Sequence, residues 1–143
     1  MHSTAPIDGL DIYLDIDGVL LAHPKQPAYY ADEFIQAVLT KYPSTTYWLT
    51  THVWNGEHVA NESLAPYLKA ETQALLAKIK PTEWGDAKTD GIDFSKPFLW
   101  FDDDLFEDEH TALAEHHALD SRVMVNLYEN PEQLKDLIQE YFS

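Results

Sequence analysis

The feature that most constrains the fold is the stretch at residues 10–21, LDIYLDIDGVLL. Its first half is a short apolar run rich in strand-forming residues, which indicates a buried β-strand. Asp15 and Asp17 follow directly, and Gly18 then frees the backbone to leave the sheet sharply. Neighbouring carboxylates repel each other, so such a pair indicates a bound cation, a shared proton or a wide solvated separation. A solvated strand-to-turn corner is the alternative interpretation, because Asp and Gly are common there.

The composition is that of a globular chain. With 143 residues, of which 45% are hydrophobic and 13% aromatic, we expect a single domain over residues 1–143. The absence of cysteine excludes disulfides, thiolate zinc sites and a cysteine nucleophile. Because no signal peptide and no run of membrane-spanning length is visible, we expect a cytoplasmic protein with no membrane partner.

The formal net charge is strongly negative, −16, from 9 basic and 25 acidic residues. This balance disfavours binding to the phosphates of nucleic acids. Six acids are concentrated in one short stretch: Asp102, Asp103, Asp104, Glu107, Asp108 and Glu109. The excess of acids in the whole chain serves solubility, converges on a divalent cation, or forms a surface that mimics nucleic acid to occupy a basic partner.

The rest of the chain alternates between helical and strand patterns. Strands are predicted at residues 10–14, 45–49, 97–101 and 122–127, with a further candidate at 82–84. Helices are predicted at 34–42, in two pieces over 54–80, in a short segment capped by Asp86, at 107–119, and after Asn130 as N-cap, with Pro131 at the first position and Gln133 completing a capping box. Strands that alternate with helices and lack hairpin turns predict an α/β fold, in which a mainly parallel sheet has helices on both faces.

In such a sheet, ligands bind beyond the carboxyl ends of the strands, near the point where strand order reverses. Asp15, Thr50 and Asp102 all stand at predicted strand ends of this kind. Three separate segments therefore direct polar groups to one edge, and this convergence favours a functional site over a solvated turn.

Four motifs in order resemble the haloacid dehalogenase-like (HAD) phosphatase superfamily. They are DIDGVL at residues 15–20, Thr50 at a strand end, Lys88 ahead of a strand, and FDDD at residues 101–104. The resemblance implies a Rossmann-like three-layer αβα sandwich. In it, the strand that bears Asp15 is central and the strand that bears Asp102 lies beside it.

The resemblance also implies a magnesium-dependent phosphomonoester hydrolase that acts through an aspartyl-phosphate intermediate. Asp15 would be the nucleophile, and Asp17 the general acid and base. Thr50 would donate hydrogen bonds to phosphoryl oxygens, and Lys88 would neutralise charge on the transferring group. The implied magnesium ligands are Asp15, the main-chain carbonyl of Asp17, Asp102, and Asp103 directly or through water.

Two of these assignments have alternatives nearby in the sequence. Thr51 could replace Thr50, and Lys80 or Lys96 could replace Lys88. Two tryptophans, Trp48 and Trp100, are predicted to be core residues, whereas Trp54 and Trp84 either line the site or cover the sheet.

HAD enzymes often carry a cap domain, and here no room remains for one. The interval between Asp17 and Thr50 must already hold a loop, a helix and a strand. We therefore expect a capless, open site, shielded at most by residues 22–30 and by groups near His52 and Trp54. Such a site would accept a phosphorylated small molecule or the exposed phosphate of a larger one.

Other classes of protein use similar residues. In a receiver domain the acidic pair comes first and the phosphorylated Asp stands on a later strand. Here the DxD motif comes first and the acidic cluster late, so the motif order excludes a receiver domain. A HAD-like domain that binds metal or phosphate without turnover, and an acidic nucleic-acid mimic, remain as alternatives. The histidines follow no trusted metal-binding pattern and are predicted to lie on the surface: His52, His58, His110, His116 and His117.

Overall fold

The computed structural model describes residues 9–23, 26–51, 53–54 and 57–143. Its strands are β1 (Asp11–Leu14), β2 (Leu21–His23), β3 (Gln26–Pro27), β4 (Thr46–Trp48), β5 (Val53–Trp54), β6 (Glu57–His58), β7 (Phe98–Asp102) and β8 (Arg122–Met124). Its α-helices are α1 (Ala31–Lys41), α2 (Ala60–Leu64), α3 (Ala70–Leu75), α4 (Glu107–Glu115) and α5 (Gln133–Tyr141). Short 3₁₀ turns cover Ala65–Tyr67, Leu76–Lys78, Lys88–Gly91 and Leu119–Ser121.

The centre of the fold is a four-stranded parallel sheet in the order β4-β1-β7-β8. The strand that precedes Asp15 is therefore central, with the strand that ends at Asp102 beside it, which is the arrangement that the resemblance implies. The β1 strand is wholly buried, and its side chains alternate between the two faces of the sheet. Ile12 and Leu14 belong to one hydrophobic cluster and Tyr13 to the other.

Helices cover both faces of this sheet, which makes the fold α/β and compatible with a Rossmann-like sandwich. The larger cluster packs β1 and β4 against α1, α2 and α5, with Phe34, Trp48 and Phe101 among its fully buried members. The smaller cluster packs Tyr13 and Trp100 under α4 and the segment that contains Ile92. Trp48 and Trp100 are thus core residues, as predicted.

The sheet order creates a crevice at the carboxyl ends of β1 and β7. After β1 the chain passes through α1 to β4 on one side, and after β7 it passes through α4 to β8 on the other. Ligands in open α/β sheets bind at this kind of reversal. Asp15 and Asp102 stand on either side of it.

Several elements differ from the sequence prediction. Two antiparallel pairs, β2-β3 and β5-β6, lie outside the main sheet, so antiparallel strand pairing does occur. The predicted helix over 54–80 begins only at Ala60. No strand forms at 82–84: the chain makes a single bridge from Lys80 to Tyr47, where Trp48 N–H donates to the Lys80 carbonyl at 2.7 Å. The strands at 45–49 and 122–127 are shorter than predicted, and the helix at 107–119 ends at Glu115.

Two predicted helix caps are wrong. The last helix begins at Gln133, not after Asn130, because the Gln133 side chain accepts the Asn126 N–H at 2.6 Å and donates to the Met124 carbonyl at 2.9 Å. Those bonds fix α5 to the end of β8. Ala87, not Asp86, precedes the Lys88–Gly91 turn, and its N–H donates to Asp90 at 3.3 Å.

None of the helices in the described part of the chain is both long enough and apolar enough to cross a membrane.

Candidate active site

Asp15 and Asp102 lie side by side at the carboxyl ends of β1 and β7. The register pairs Leu14 with Phe101, so the next residue of each strand is a carboxylate at the same level. The Asp15 N–H donates to the Phe101 carbonyl at 3.1 Å, which continues the strand pairing up to the site. Asp15 is 5% exposed and Asp102 is 1% exposed. Two acids this deeply buried stay ionised only with positive charge close by.

Lys88 supplies that charge. Its Nζ atom lies 3.0 Å from Oδ2 of Asp15 and 2.7 Å from Oδ2 of Asp102. The lysine is the first residue of the Lys88–Gly91 turn, which contacts α4 from the side of the smaller cluster. A single ammonium therefore bridges the acids of two neighbouring strands.

The second oxygen of each acid is held by backbone. Oδ1 of Asp15 accepts the Ile16 N–H at 2.8 Å. Oδ1 of Asp102 accepts the N–H groups of Asp103 and Asp104, at 2.7 and 3.2 Å. These bonds fix both carboxylates so that each directs Oδ2 at Lys88.

Asp103 completes a group of three carboxylates. One oxygen from each of Asp15, Asp102 and Asp103 lies within 4.8 Å of the others. Gly18, with φ +79°, makes room for this arrangement, because a Cβ atom there would overlap the Asp103 carboxylate. Carboxylate oxygens are the ligands that hard divalent cations prefer, so these three residues could hold a metal ion.

The charges perturb each other strongly. Burial and the neighbouring Asp102 carboxylate raise the pKa of Asp15 to about 7. Burial raises the pKa of Asp103 to about 6, and a hydrogen bond to Asp102 and the negative charge of Asp102 act in the same direction. Burial opposes ionisation of Asp102, but the Lys88 ammonium outweighs it and lowers the pKa of Asp102. Burial likewise opposes the charge on Lys88, yet Asp15 and Asp102 raise its pKa. One lysine does not neutralise the group, and a divalent cation would supply the missing charge.

A cavity of about 340 Å³ opens above these residues. Its walls include Asp17, whose exposed side chain lies outside the three-carboxylate group, and Thr51. Thr50 is fully buried and is not among the residues that line the cavity. The geometry therefore favours Thr51 over the predicted Thr50 as the hydroxyl available to a ligand.

The other two lysines considered from the sequence lie elsewhere. Lys80 Nζ donates to the Ser44 carbonyl at 3.0 Å and stands over the Tyr47 ring. Lys96 lines a different cavity, near Asp11 at the amino end of β1. Lys88 alone of the three contacts Asp15 and Asp102.

The sequence does not identify two residues that support the site. Glu109 is 3% exposed, and its carboxylate accepts the Lys88 N–H at 3.2 Å and the Phe106 N–H at 3.1 Å. Its signal is its position in the first turn of α4, where an acid can reach back to the preceding N–H. Arg122 stacks on Trp100 at 4.7 Å and donates to the Asp104 carbonyl, which holds the segment that follows β7. No local pattern indicates that contact.

Of the histidines, His110, His116 and His117 are exposed, as predicted, and His116 stacks on Phe94 at 3.9 Å. His52 and the side chains of Trp54 and His58 lie outside the described residues.

In comparisons with known proteins, no family model matches this chain, and no curated protein or solved structure matches it significantly. Any functional assignment therefore rests on the fold and on the carboxylates, lysine and cavity at the carboxyl ends of β1 and β7.

Proposed function

We propose that the chain is a magnesium-dependent phosphomonoester hydrolase of the HAD-like type, acting through an aspartyl-phosphate intermediate. The observation that carries this proposal is the Lys88 ammonium, which bridges Asp15 and Asp102 with Asp103 adjacent. It lies at the carboxyl end of a central parallel strand, where such sheets bind ligands.

Asp15 is the proposed nucleophile. Its Oδ1 atom is held by the Ile16 N–H, so Oδ2 is the oxygen that would attack phosphorus in line. Lys88 contacts this same oxygen and would neutralise the charge that the phosphoryl group brings. Magnesium held by Asp15, Asp102 and Asp103 would further offset the repulsion between carboxylate and phosphate.

Asp17 is the proposed general acid and base. As the phosphorus–oxygen bond to the leaving group breaks, Asp17 gives its proton to the departing oxygen. It then takes a proton from the water that attacks the phosphorus, and Asp15 is released as a carboxylate. The exposed position of Asp17 on the cavity wall suits a group that exchanges protons with substrate and water. Thr51, which lines the cavity, would donate a hydrogen bond to a phosphoryl oxygen.

The proposed site is capless. Between Asp17 and Thr51 the described chain forms the β2-β3 pair, α1 and β4, and α1 belongs to the core rather than to a separate lobe. The substrate would therefore enter directly from solvent, as a small phosphomonoester or as the phosphorylated end of a larger molecule.

Phosphate release by Asp15→Asn tests the proposal. We expect magnesium-dependent release of phosphate by the wild type and none above background by Asp15→Asn, which keeps the side-chain shape and loses the nucleophile. Asp120→Asn is the matched control, because it removes one exposed carboxylate from the turn before β8. This turn lies at the amino end of β8, whereas Asp15 and Asp102 lie at the carboxyl ends of β1 and β7. Beryllofluoride, a phosphoryl mimic, should bond to Asp15 in a crystal of the wild type. Full turnover by Asp15→Asn would exclude the covalent mechanism.

A further inference from the structure

The cavity above the carboxylates changes in character from base to rim. At the base, Asp15 and Asp102 are almost completely buried and the Lys88 side chain is 12% exposed. At the rim, Phe106 is 61% exposed. A phosphate bound at the base would therefore direct the rest of its molecule toward the residues of the rim.

Two of the residues that line this cavity are aromatic, Trp84 and Phe106. Trp84 is half-buried and packs on the smaller hydrophobic cluster, beside Gly91, so one side of the indole is anchored in the fold. The backbone of Phe106 is held by the bond from its N–H to Glu109, while most of its ring faces solvent. Both residues are thus held in place by the fold, and each keeps an exposed ring surface that a ligand could contact.

The remaining rim is acidic. Asp86 and Asp104 are exposed and line the same cavity. Carboxylates placed there repel a second phosphate or carboxylate on the ligand and leave a neutral group unaffected. Aromatic rings favour planar partners, on which they stack through their faces.

From these observations we infer that Trp84 and Phe106 determine substrate choice, and that the substrates are phosphomonoesters whose leaving group carries a planar, uncharged ring. The inference rests on the proposed function, and it adds the substrate class. A capless site has few walls that contact the leaving group, and here two rings would supply a wall that a cap would otherwise provide.

Adenosine 5′-monophosphate and ribose 5-phosphate form a suitable pair of probes. Both are esters of a primary alcohol at the same position of ribose, so the chemical step is closely matched and only the base differs. We expect kcat/KM in saturating magnesium to be about tenfold higher for adenosine 5′-monophosphate, the size that one aromatic stacking contact commonly gives. The difference should appear mainly in KM, because the ring is bound equally before and during the reaction.

Trp84→Leu and Phe106→Leu keep apolar bulk and remove the flat face. Each should lower kcat/KM for adenosine 5′-monophosphate and leave that for ribose 5-phosphate unchanged. Trp84→Phe should retain part of the preference, and it also carries the test if Trp84→Leu fails to fold. Tyr128→Leu is the control, because Tyr128 is 93% exposed and is not among the residues that line this cavity.

Equal kcat/KM for the two probes in the wild type would overturn the inference and leave the proposed hydrolase intact. Equal losses on both probes in Phe106→Leu and Trp84→Phe would also overturn it, because the rings would then act only through the fold. If neither probe is hydrolysed and beryllofluoride forms no bond to Asp15, the proposed function fails, and the inference with it.

Discussion

Asp103 occupies the space beside Gly18 into which any other residue would project its Cβ atom. The two residues belong to different strand ends, the first after β7 and the second after β1. Gly18 also has φ +79°, a backbone conformation that residues with an L side chain rarely adopt. The position of the Asp103 carboxylate in the three-carboxylate group therefore depends on the absence of a side chain at Gly18.

Gly18→Ala should displace Asp103 and weaken the response of the protein to magnesium. The substitution also carries a backbone cost of roughly 1–2 kcal/mol from the positive φ. Gly9→Ala separates the two effects, since Gly9 has φ +76° and no atom of the described residues lies within 4 Å of the position that its Cβ atom would take. We expect both variants to lose stability, measured by urea unfolding, and only Gly18→Ala to lose magnesium affinity. Equal magnesium affinity in the two variants would exclude a metal role for Asp103.

Magnesium should raise the melting temperature, because a ligand that binds only the folded state stabilises it. Asp15→Asn and Asp102→Asn should each reduce the shift measured by differential scanning fluorimetry. Asp104→Asn should not, because the Asp104 side chain is exposed and lies outside the three-carboxylate group. A wild-type melting temperature indifferent to millimolar magnesium would contradict the metal assignment.

Lys88→Gln should lower kcat by about a hundredfold to a thousandfold, the usual cost of removing one contact to a transferring group. It should also destabilise the metal-free protein, because Asp15 and Asp102 then face each other without a cation. Magnesium should restore part of that stability but not the rate. Lys80→Gln is the control, since Lys80 contacts Ser44 at the sheet edge. An unchanged rate in Lys88→Gln would remove Lys88 from the chemistry.

Asp11→Asn should stabilise the protein at neutral pH. Asp11 is 2% exposed, and its Oδ1 atom has no hydrogen-bond partner among the residues that the structure describes. Burial raises the pKa of Asp11 above its ordinary value of 3.8. The folded state therefore holds this proton more tightly than the unfolded state, and the wild type loses stability as pH rises from the unfolded to the folded pKa.

The gain from Asp11→Asn should accordingly be full above the folded pKa of Asp11, shrink as the pH falls from the folded to the unfolded pKa, and reach its minimum below the unfolded pKa. Thermal melts of both proteins across that range measure it. A gain that does not change with pH would show that ionisation of Asp11 is not its cause.

The sequence predicts the sheet and the meeting of Asp15 with Asp102 because both depend on short-range patterns. An apolar run followed by an acid indicates a strand end, and parallel strands bring such ends to one edge. The sequence also predicts Lys88 in the first turn of a short helical segment, although Ala87 and not Asp86 is the residue that precedes this turn.

Other parts of the site depend on contacts that no local pattern contains. Thr50 and Thr51 are adjacent in sequence, but Thr50 is fully buried whereas Thr51 lines the cavity, and no local pattern distinguishes the two. The wrong cap at the last helix has a similar cause: Gln133 bonds to the end of β8, and only the folded sheet brings that backbone within reach. Helix propensity alone predicts that the last helix begins directly after Asn130.

Glu109 ties together segments that are remote in sequence, since it accepts the N–H groups of Lys88 and Phe106. Its loss would disturb the proposed charge at the base of the cavity and the proposed aromatic rim at once. A mutational scan scored on activity alone would then rank Glu109 beside Asp15, although both of its oxygens accept backbone N–H groups. Such a scan would therefore mistake Glu109, a buried residue that holds two backbone segments, for a residue that takes part in the reaction.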